Sequence, residues 1–226
     1  MILTEYDNQQ GLEDTLAKMI ANRLKKAIDS KHRAVLLVSG GKTPTGLYKR
    51  LANMDIAWEK VVIGLVDDRM VEPHSAQSNA LLLQQTLLTH KAAAALFHPL
   101  VISLHNEQKN LSKVLDLYGN FLTGVDVCLL GMGTDGHTAS LFPGDEASKE
   151  ALKKENKLAV AYTNADVEPT RRISCSRNLI EKSDHLFLMI VGEEKRNVLE
   201  TAQEKGLPIA KFFHTPKTRL NVFYAN

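Results

Sequence analysis

The sequence predicts an α/β fold built on a mostly parallel sheet. Along its 226 residues, short apolar runs that fit strands buried on both faces alternate with segments of helical periodicity. Such alternation is typical of parallel sheets covered by helices. No internal repeat and no Pro/Gly/Ser-rich linker divides the chain, so we expect one domain over residues 1–226.

The individual elements follow from these patterns in order. Apolar residues at helical spacing predict an amphipathic helix over 11–30, and the run 34–38 predicts a buried strand. Pro44, in the turn that follows, suits the first position of a second helix. Further apolar runs predict strands at 61–66, 125–130, 157–163, 172–176, 185–191 and 220–225. Helical spacing predicts helices at 78–88, 107–122 and 193–204.

Composition narrows the classes of partner and compartment. Lys plus Arg is 28 and Asp plus Glu is 26, and the resulting net charge of +2 gives no electrostatic reason to expect nucleic acid or an anionic membrane. The N-terminus lacks a basic stretch followed by an apolar one, and no apolar run approaches the ~20 residues that span a bilayer. Cys128 and Cys175 lie in apolar runs, which favours buried free thiols in a reducing compartment. We expect a cytoplasmic monomer that acts on a small molecule.

Ligands of parallel sheets bind beyond the carboxyl ends of the strands, so the residues that follow each strand are the first candidates for chemistry. The segment 39–44, SGGKTP, follows the first buried strand. Its glycines allow a sharp turn with exposed N–H groups, and the next helix points its positive end at the same place. This indicates an anion site whose candidate residues are Gly40, Gly41, Lys42 and Thr43. A plain strand-to-helix turn is the alternative. A P-loop type of ATP site at this motif is rejected, because Leu36 stands where a P-loop needs glycine.

The second strand end carries Asp67, Asp68 and Arg69. A surface ion pair or a helix start would account for these charges. Their place at the predicted ligand edge favours Asp67 and Arg69 as contacts to a ligand.

The third strand end, residues 131–144, reads GMGTDGHTASLFPG. Its first six residues match G-x-G-x-x-G, but Pro143 and Gly144 stop the long helix that a dinucleotide site needs. Gly133 therefore indicates close approach of backbone to a ligand. Asp135 and His137 suit a general base whose tautomer is fixed by a carboxylate, with a capping Asp and an incidental loop His as the alternative.

The remaining histidines form no H-E-x-x-H motif and no close Cys/His cluster, so we predict no metal site and no cofactor. Lys195 lies in a charged run that suits a solvated helix start. It is a candidate only because it follows the apolar run 185–191.

Taken together and in this order, the strand ends resemble those of the 6-phosphogluconolactonase family. The stretch GMGTDGHTASLFP is similar to the most specific signature of that family. Four other segments resemble its remaining motifs: SGGKTP, DDRMV at 67–71 followed by Ser78-Asn79, RIS at 172–174 and GEEK at 192–195. Asp68 departs from the usual Glu, which leaves its role open, and Glu72 separates Val71 from the proline that usually follows at once.

The resemblance implies the Rossmann-like fold of sugar-phosphate isomerases and deaminases and a metal-independent hydrolysis of 6-phospho-D-glucono-1,5-lactone. It implies His137 as the base on water and Asp135 as its orienting partner. The backbone at Gly40, Gly41 and Gly133 would hold either the oxyanion or the phosphate. The cations expected at the phosphate are Arg69, Arg172 and Lys195.

The positions of Arg172 and Lys195 relative to the predicted strands lead to an expectation about the sheet topology. Arg172 stands at the start of a predicted strand and Lys195 beyond the end of another, so in a purely parallel sheet they would fall at opposite edges. If both meet the phosphate, the C-terminal half contains an antiparallel strand or a folded-over loop at 164–172.

Three other functions fit parts of the pattern. Glucosamine-6-phosphate deaminases share the Gly-x-Gly-x-Asp-Gly-His core but continue with Phe-Asn-Glu-Pro, whereas this chain has Ser140-Leu141-Phe142-Pro143. A non-catalytic sugar-phosphate sensor would normally carry a DNA-binding module, for which no ~60 spare residues are visible. A thiol hydrolase would need a reactive Cys128 or Cys175, and both lie in apolar strands.

Overall fold

The computed structural model describes all 226 residues. Its strands are β1 (Ile2–Tyr6), β2 (Ala34–Val38), β3 (Val61–Leu65), β4 (Asp67–Arg69), β5 (Leu96–His98), β6 (Val125–Leu130), β7 (Val160–Asn164), β8 (Arg171–Cys175), β9 (Ser183–Val191) and β10 (Asn221–Ala225). Its α-helices are α1 (Gln9–Lys31), α2 (Thr45–Ala52), α3 (Asn79–Thr86), α4 (Glu107–Gly119), α5 (Glu146–Ala151), α6 (Arg177–Ile180) and α7 (Glu193–Thr201). None of the helices is long and apolar enough to cross a membrane.

Seven strands form the main sheet in the order β1-β10-β9-β6-β2-β3-β5, and every neighbouring pair is parallel. The predicted α/β class and mostly parallel sheet are therefore confirmed. β2 and β6 are buried at every residue, as their continuous apolar runs predicted.

The strand order reverses between β2 and β6. From β2 the chain proceeds to β3 and β5 on one side, and from β6 it proceeds to β9 and β10 on the other. Loops that leave adjacent strands in opposite directions open a crevice between them, which is where ligands of such sheets bind. The segments 39–44 and 131–144 leave β2 and β6 at this point.

A second sheet of three strands, β4-β8-β7, is antiparallel throughout. It pairs Arg69 with Arg172, so the antiparallel strand expected in the C-terminal half is present. Because β4 follows β3 after one residue, this small sheet begins where the main sheet ends.

One continuous core of 60 buried apolar residues holds the helices against the main sheet. α1 contributes a buried stripe at the predicted helical spacing, and Asn8 caps its first turn by accepting the Gly11 N–H. Burial of this stripe fixes α1 against the sheet, whose carboxyl edge carries the crevice.

Several elements were not predicted, and each has a weak sequence signal. β1 is an edge strand with mostly exposed residues, β4 and β5 have three residues each, and α5 and α6 are short. None of them supplies a continuous apolar run or two turns of helical periodicity. Pro44 stands at the N-cap position of α2, one residue before the first helical position that was predicted for it.

Candidate active site

A cavity of about 270 Å³ lies at the crevice between β2 and β6. It is lined by all but two of the residues that the sequence predicted for the site: Gly40, Gly41, Lys42, Thr43, Asp67, Arg69, Gly133, His137 and Lys195. Asp135 lies behind His137, and Arg172 does not line the cavity. Residues distant in sequence thus meet because four loops leave the same edge of the sheet.

His137 and Asp135 form a close pair. Nδ1 of His137 lies 2.6 Å from Oδ1 of Asp135, and the same oxygen accepts the backbone N–H of His137. Partial burial raises the pKa of Asp135, but hydrogen bonds and the charge of His137 outweigh it and hold that pKa below its usual value. An ionised Asp135 requires the proton on Nδ1, which leaves Nε2 of a neutral imidazole as the proton acceptor. Nε2 makes no hydrogen bond within the protein.

Gly133 makes room for this histidine. A Cβ at Gly133 would lie 2.3 Å from Nδ1 and Cε1 of His137 and 2.6 Å from Oδ1 of Asp135. Its backbone N–H already donates to the His137 carbonyl oxygen at 3.0 Å. The expectation that this amide cradles a ligand is therefore replaced by a steric role, because its donor is used inside the loop.

The segment 40–43 is different, because none of its four backbone N–H groups has a partner within the protein. The segment precedes α2, whose N-terminus adds the positive end of its dipole. Consecutive unpaired amides at a helix start form a binding site for an anionic oxygen. The segment for which the two glycines predicted an anion site therefore has four amide donors without a protein partner.

Arg69 presents one edge of its guanidinium without a protein partner. Nη1 donates to the Gln77 carbonyl oxygen and to Oδ1 of Asn79, at 2.8 and 2.9 Å. Nε is buried and unpaired, and Nη2 also makes no hydrogen bond within the protein. Because Nε is buried, Nη2 is the unpaired nitrogen that an oxygen of a phosphate or carboxylate can reach from the cavity.

Lys195 and Arg172 occupy different positions. Lys195 lies in the first turn of α7 and lines the cavity, and it has no acidic partner within hydrogen-bond distance. Burial lowers its pKa, which Glu194 offsets only in part. Arg172 is 6% exposed, donates from Nε to the Pro169 carbonyl oxygen and lies over the ring of Phe142 at 5.8 Å. Burial and the neighbouring charge of Arg69 lower the pKa of Arg172.

Asn79 lines the cavity and was not singled out as a site residue from the sequence. Its side chain donates to the Asp67 carbonyl oxygen, accepts from Arg69, and fills the space that a Cβ at Gly40 would occupy, 1.9 Å from its Oδ1. Asn79 therefore joins the loops that follow β2 and β3. Asn79 belongs to the second of the motifs that resemble the family, but this contact was not predicted, because asparagine at a helix start is common for local reasons.

Comparison with known proteins identifies the family. The model for glucosamine-6-phosphate isomerases/6-phosphogluconolactonase matches residues 7–220. The chain belongs to this family.

The relatives described below are all named 6-phosphogluconolactonase. The chain is 37% identical to a 6-phosphogluconolactonase of Helicobacter pylori, with 99% of this chain and 97% of the relative covered. It is 35% identical to one of Neisseria meningitidis, with 98% and 97% covered. The crystal structure of a 6-phosphogluconolactonase from Shewanella baltica superposes with a TM-score of 0.94 at 33% identity, covering 100% of this chain and 98% of that one. The resemblance seen in the sequence motifs is confirmed.

Asp68, which replaces the usual Glu of the family, is fully buried and organises the start of α3. Its carboxylate accepts the backbone N–H groups of Asn79, Ala80 and Arg69 at 2.7, 3.1 and 2.8 Å, and the Ser78 hydroxyl at 3.4 Å. It lies behind the cavity wall rather than in it. Its role is to hold Arg69 and Asn79 in place.

Titration of Asp68 should make stability depend on pH. Burial raises its pKa to about 6, although the three backbone N–H groups oppose the shift. A raised carboxyl pKa means that the folded protein holds a proton between pH 4 and 6 that the unfolded chain releases. The contribution of Asp68 protonation to the free energy of unfolding is therefore fully present below about pH 4 and is lost as the pH rises through 6. Relative to Asp68→Asn, the wild-type free energy of unfolding should rise by up to roughly 3 kcal/mol from pH 7 to pH 4.

Urea denaturation of both proteins across this range measures the effect. Carboxylates whose pKa is lowered, such as Asp145 and Asp184, also make stability depend on pH. Their contribution cancels in the difference between the two proteins, because both proteins contain these groups. A difference in unfolding free energy that does not change with pH would contradict the assignment to Asp68.

Ser140 holds the loop at 131–144 against the small antiparallel sheet. Its hydroxyl donates to Oδ2 of Asp67 at 2.5 Å, its N–H donates to the Ser174 hydroxyl, and its carbonyl oxygen accepts from Thr163. The three partners lie on β4, β8 and β7. Ala139, beside it, has a φ of 50°, a conformation that a non-glycine residue adopts only when its surroundings enforce it.

Ser140→Ala should destabilise the protein by roughly 1.5–3 kcal/mol, since it removes a buried hydrogen bond to a carboxylate. Urea denaturation measures the change. Ser30→Ala is the matched control, because Ser30 lies on the exposed side of α1 and should change stability by less than about 0.5 kcal/mol. Equal effects of the two substitutions would show that the contacts of Ser140 do not hold the loop.

Metal and thiol chemistry find no support in the arrangement of side chains. No three His, Cys, Asp or Glu side chains lie together in a way that would hold a metal ion. Cys128 and Cys175 are buried free thiols, as predicted. Burial raises the pKa of Cys128 to about 12 and raises that of Cys175 well above its usual value, so neither supplies a thiolate near neutral pH.

Proposed function

We propose that the protein hydrolyses 6-phospho-D-glucono-1,5-lactone to 6-phospho-D-gluconate, the second step of the oxidative pentose phosphate pathway. One observation carries the proposal. A histidine with a free Nε2 lies in the same cavity as unpaired cationic and amide donors, which suit a phosphate group. The name 6-phosphogluconolactonase on relatives that align over nearly the whole chain supports it.

His137 acts on water. Its Nε2 removes a proton while the water oxygen attacks the lactone carbonyl carbon, and a tetrahedral intermediate with an anionic oxygen forms. When the ring C–O bond breaks, the leaving ring oxygen takes the proton back from Nε2. The product is an open-chain acid, and Asp135 stabilises the imidazolium between the two steps as the carboxylate of a catalytic triad does. The step consumes one water and needs no cofactor.

Arg69 and Lys195 hold the phosphate. Nη2 of Arg69, which has no partner within the protein, donates to a phosphate oxygen, and Lys195 adds a point charge. The amides of 40–43, with Lys42 and Thr43, bind whichever anionic oxygen lies against that segment, the phosphate or the carbonyl oxygen of the intermediate. Binding energy at the phosphate positions the carbonyl carbon over His137. Asp67, whose Oδ2 accepts from Ser140, is the acceptor available for a sugar hydroxyl.

Arg172 contributes through its charge and its packing. It lies beside Arg69 and over Phe142, its Nε donates to the Pro169 carbonyl oxygen, and it does not line the cavity. We therefore assign the main phosphate contact to Arg69 and a supporting role to Arg172.

A deaminase is the second candidate because the family name includes glucosamine-6-phosphate isomerases. The positions that carry Phe-Asn-Glu-Pro in deaminases carry Ser140 to Pro143 here, and no glutamate lines the cavity. The carboxylate paired with the base, Asp135, is committed to His137. These contacts favour the lactonase.

Parallel assays on the wild-type protein separate the two activities. Lactone hydrolysis is followed by base consumption at constant pH with the spontaneous rate subtracted, and deamination by release of ammonia from glucosamine 6-phosphate. We expect lactone hydrolysis alone, at the same rate with and without EDTA. Ammonia release without lactone hydrolysis would refute the proposal, and a chelated enzyme that Zn²⁺ or Mg²⁺ restores would refute its metal independence.

We propose further that the protein is a single-domain monomer of the cytoplasm with no nucleic-acid partner. The two free buried thiols and the net charge of +2 support this. Light scattering in solution tests the oligomeric state.

A further inference from the structure

A second hollow, of about 560 Å³, lies on the reverse side of the loop at 131–144, which carries His137. Its walls come from 142–144, from α5 and the turn after it, and from the segment 205–211 that follows α7. It shares no lining residue with the active-site cavity and is about twice as large. The mechanism makes no use of it.

The hollow is strongly cationic. Six basic side chains line it against one acidic one, Glu155, and they are Lys149, Lys153, Lys154, Arg177, Lys205 and Lys211. Three of the six are paired with glutamates of their own helices or turns, whereas Lys154, Lys205 and Lys211 have no acidic partner. Converging unpaired lysines around one concavity favour a multiply charged anion.

Its apolar lining favours an organic ligand. Phe142, Pro143, Leu207 and Pro208 lie among the cations, and Pro208 is buried. A volume of this size falls within the roughly 300–1,000 Å³ of small-molecule sites. A ligand that matches both features has an apolar ring and several phosphate groups.

We propose that this hollow binds a nucleoside polyphosphate, with its phosphates on Lys154, Lys205 and Lys211 and its base against the apolar lining. The binding does not depend on the lactonase activity and is measured without it.

The site adjoins the catalytic histidine through two contacts. The ring of Phe142 lies 4.7 Å from the ring of His137. Leu207 packs so closely on Gly136 that a Cβ there would lie 2.5 Å from its Cδ1, and the Ile209 N–H donates to the Gly136 carbonyl oxygen. A ligand against Phe142 and Leu207 therefore touches the opposite side of the loop that carries His137.

Calorimetric titration with ATP tests the proposal. In the triple variant Lys154→Gln, Lys205→Gln, Lys211→Gln, ATP should bind at least about tenfold more weakly than in the wild type. The control is Lys60→Gln, Lys109→Gln, Lys113→Gln, which removes the same charge from exposed lysines that line none of the described cavities and have no acidic partner. It should bind ATP within twofold of wild type. An equal loss of ATP affinity in both triple variants would show that the effect comes from net charge alone, and would overturn the proposed site.

Two further arms locate the ligand and define its chemistry. Arg69→Ala should leave the affinity for ATP unchanged, and a loss there would place ATP in the active-site cavity instead. Tripolyphosphate should bind several-fold more weakly than ATP, and equal affinity would overturn the role of the apolar lining. The ¹H–¹³C NMR signal of His137 Cε1 should shift on addition of ATP in the wild type and the control triple but not in the triple variant at the hollow.

Discussion

Replacing His137 with alanine should lower kcat for lactone hydrolysis by roughly 10²–10⁴-fold, the usual contribution of a positioned general base. The phosphate contacts lie on other residues, so the affinity for 6-phosphogluconate should change little. Initial rates at constant pH, corrected for spontaneous hydrolysis, give kcat, and calorimetric titration gives the affinity. A variant that keeps most of the wild-type kcat would remove His137 from the mechanism.

Asp135→Asn serves as the companion variant. It keeps the size of the side chain but removes the charge that fixes the proton on Nδ1 of His137. We expect a loss of kcat smaller than that of His137→Ala. A loss as large as with alanine at His137 would mean that the pair acts as one unit, and no loss would mean that Asp135 does not orient the base.

Replacing Arg69 with alanine should raise KM for the phosphorylated lactone by about tenfold to hundredfold. This is the range for losing a charge-assisted hydrogen bond worth roughly 1.5–3 kcal/mol. The effect on kcat should be smaller, because the carbonyl and His137 are affected only through positioning. Arg69→Lys, which keeps the charge but not the guanidinium, should recover part of the loss.

The unphosphorylated gluconolactone is the control substrate, on which Arg69→Ala should behave almost like wild type. Arg172→Ala tests the division of roles, since it should raise KM less than Arg69→Ala does. A larger effect of Arg172→Ala, confined to the phosphorylated substrate, would place Arg172 on the phosphate. Equal damage on both substrates would mean that the substituted arginine shapes the fold or the carbonyl site.

The main sheet could be predicted because each of its central strands is a continuous apolar run. β2 and β6 are buried on both faces by helices, so their sequences carry no alternation that could be mistaken for an exposed sheet. The small sheet could be inferred only in part. β8 was predicted, and the antiparallel strand was deduced from the places of Arg172 and Lys195, but β4 consists of Asp67 to Arg69 and has no strand-like pattern.

The position of candidate residues was predictable where they follow a predicted strand, as with His137, Arg69 and Lys195, all of which line the cavity. It was not predictable where the role of a residue depends on whether its hydrogen-bonding groups are already used by neighbouring residues. The N–H of Gly133 is used inside its own loop, whereas the N–H groups of Gly40 and Gly41 are free, although all three residues looked alike in the sequence. Ser140 and Asn79 act through partners distant in sequence, which no local pattern reveals.

The central claim is that one cavity holds the phosphate while His137 activates water at the lactone carbonyl. The most direct measurement is kcat/KM of the wild-type protein for 6-phospho-D-glucono-1,5-lactone and for the unphosphorylated lactone, at constant pH and corrected for spontaneous hydrolysis. Two cationic contacts predict a preference of at least about a hundredfold for the phosphorylated substrate. Equal values for the two lactones, or no hydrolysis above the spontaneous rate, would contradict the account.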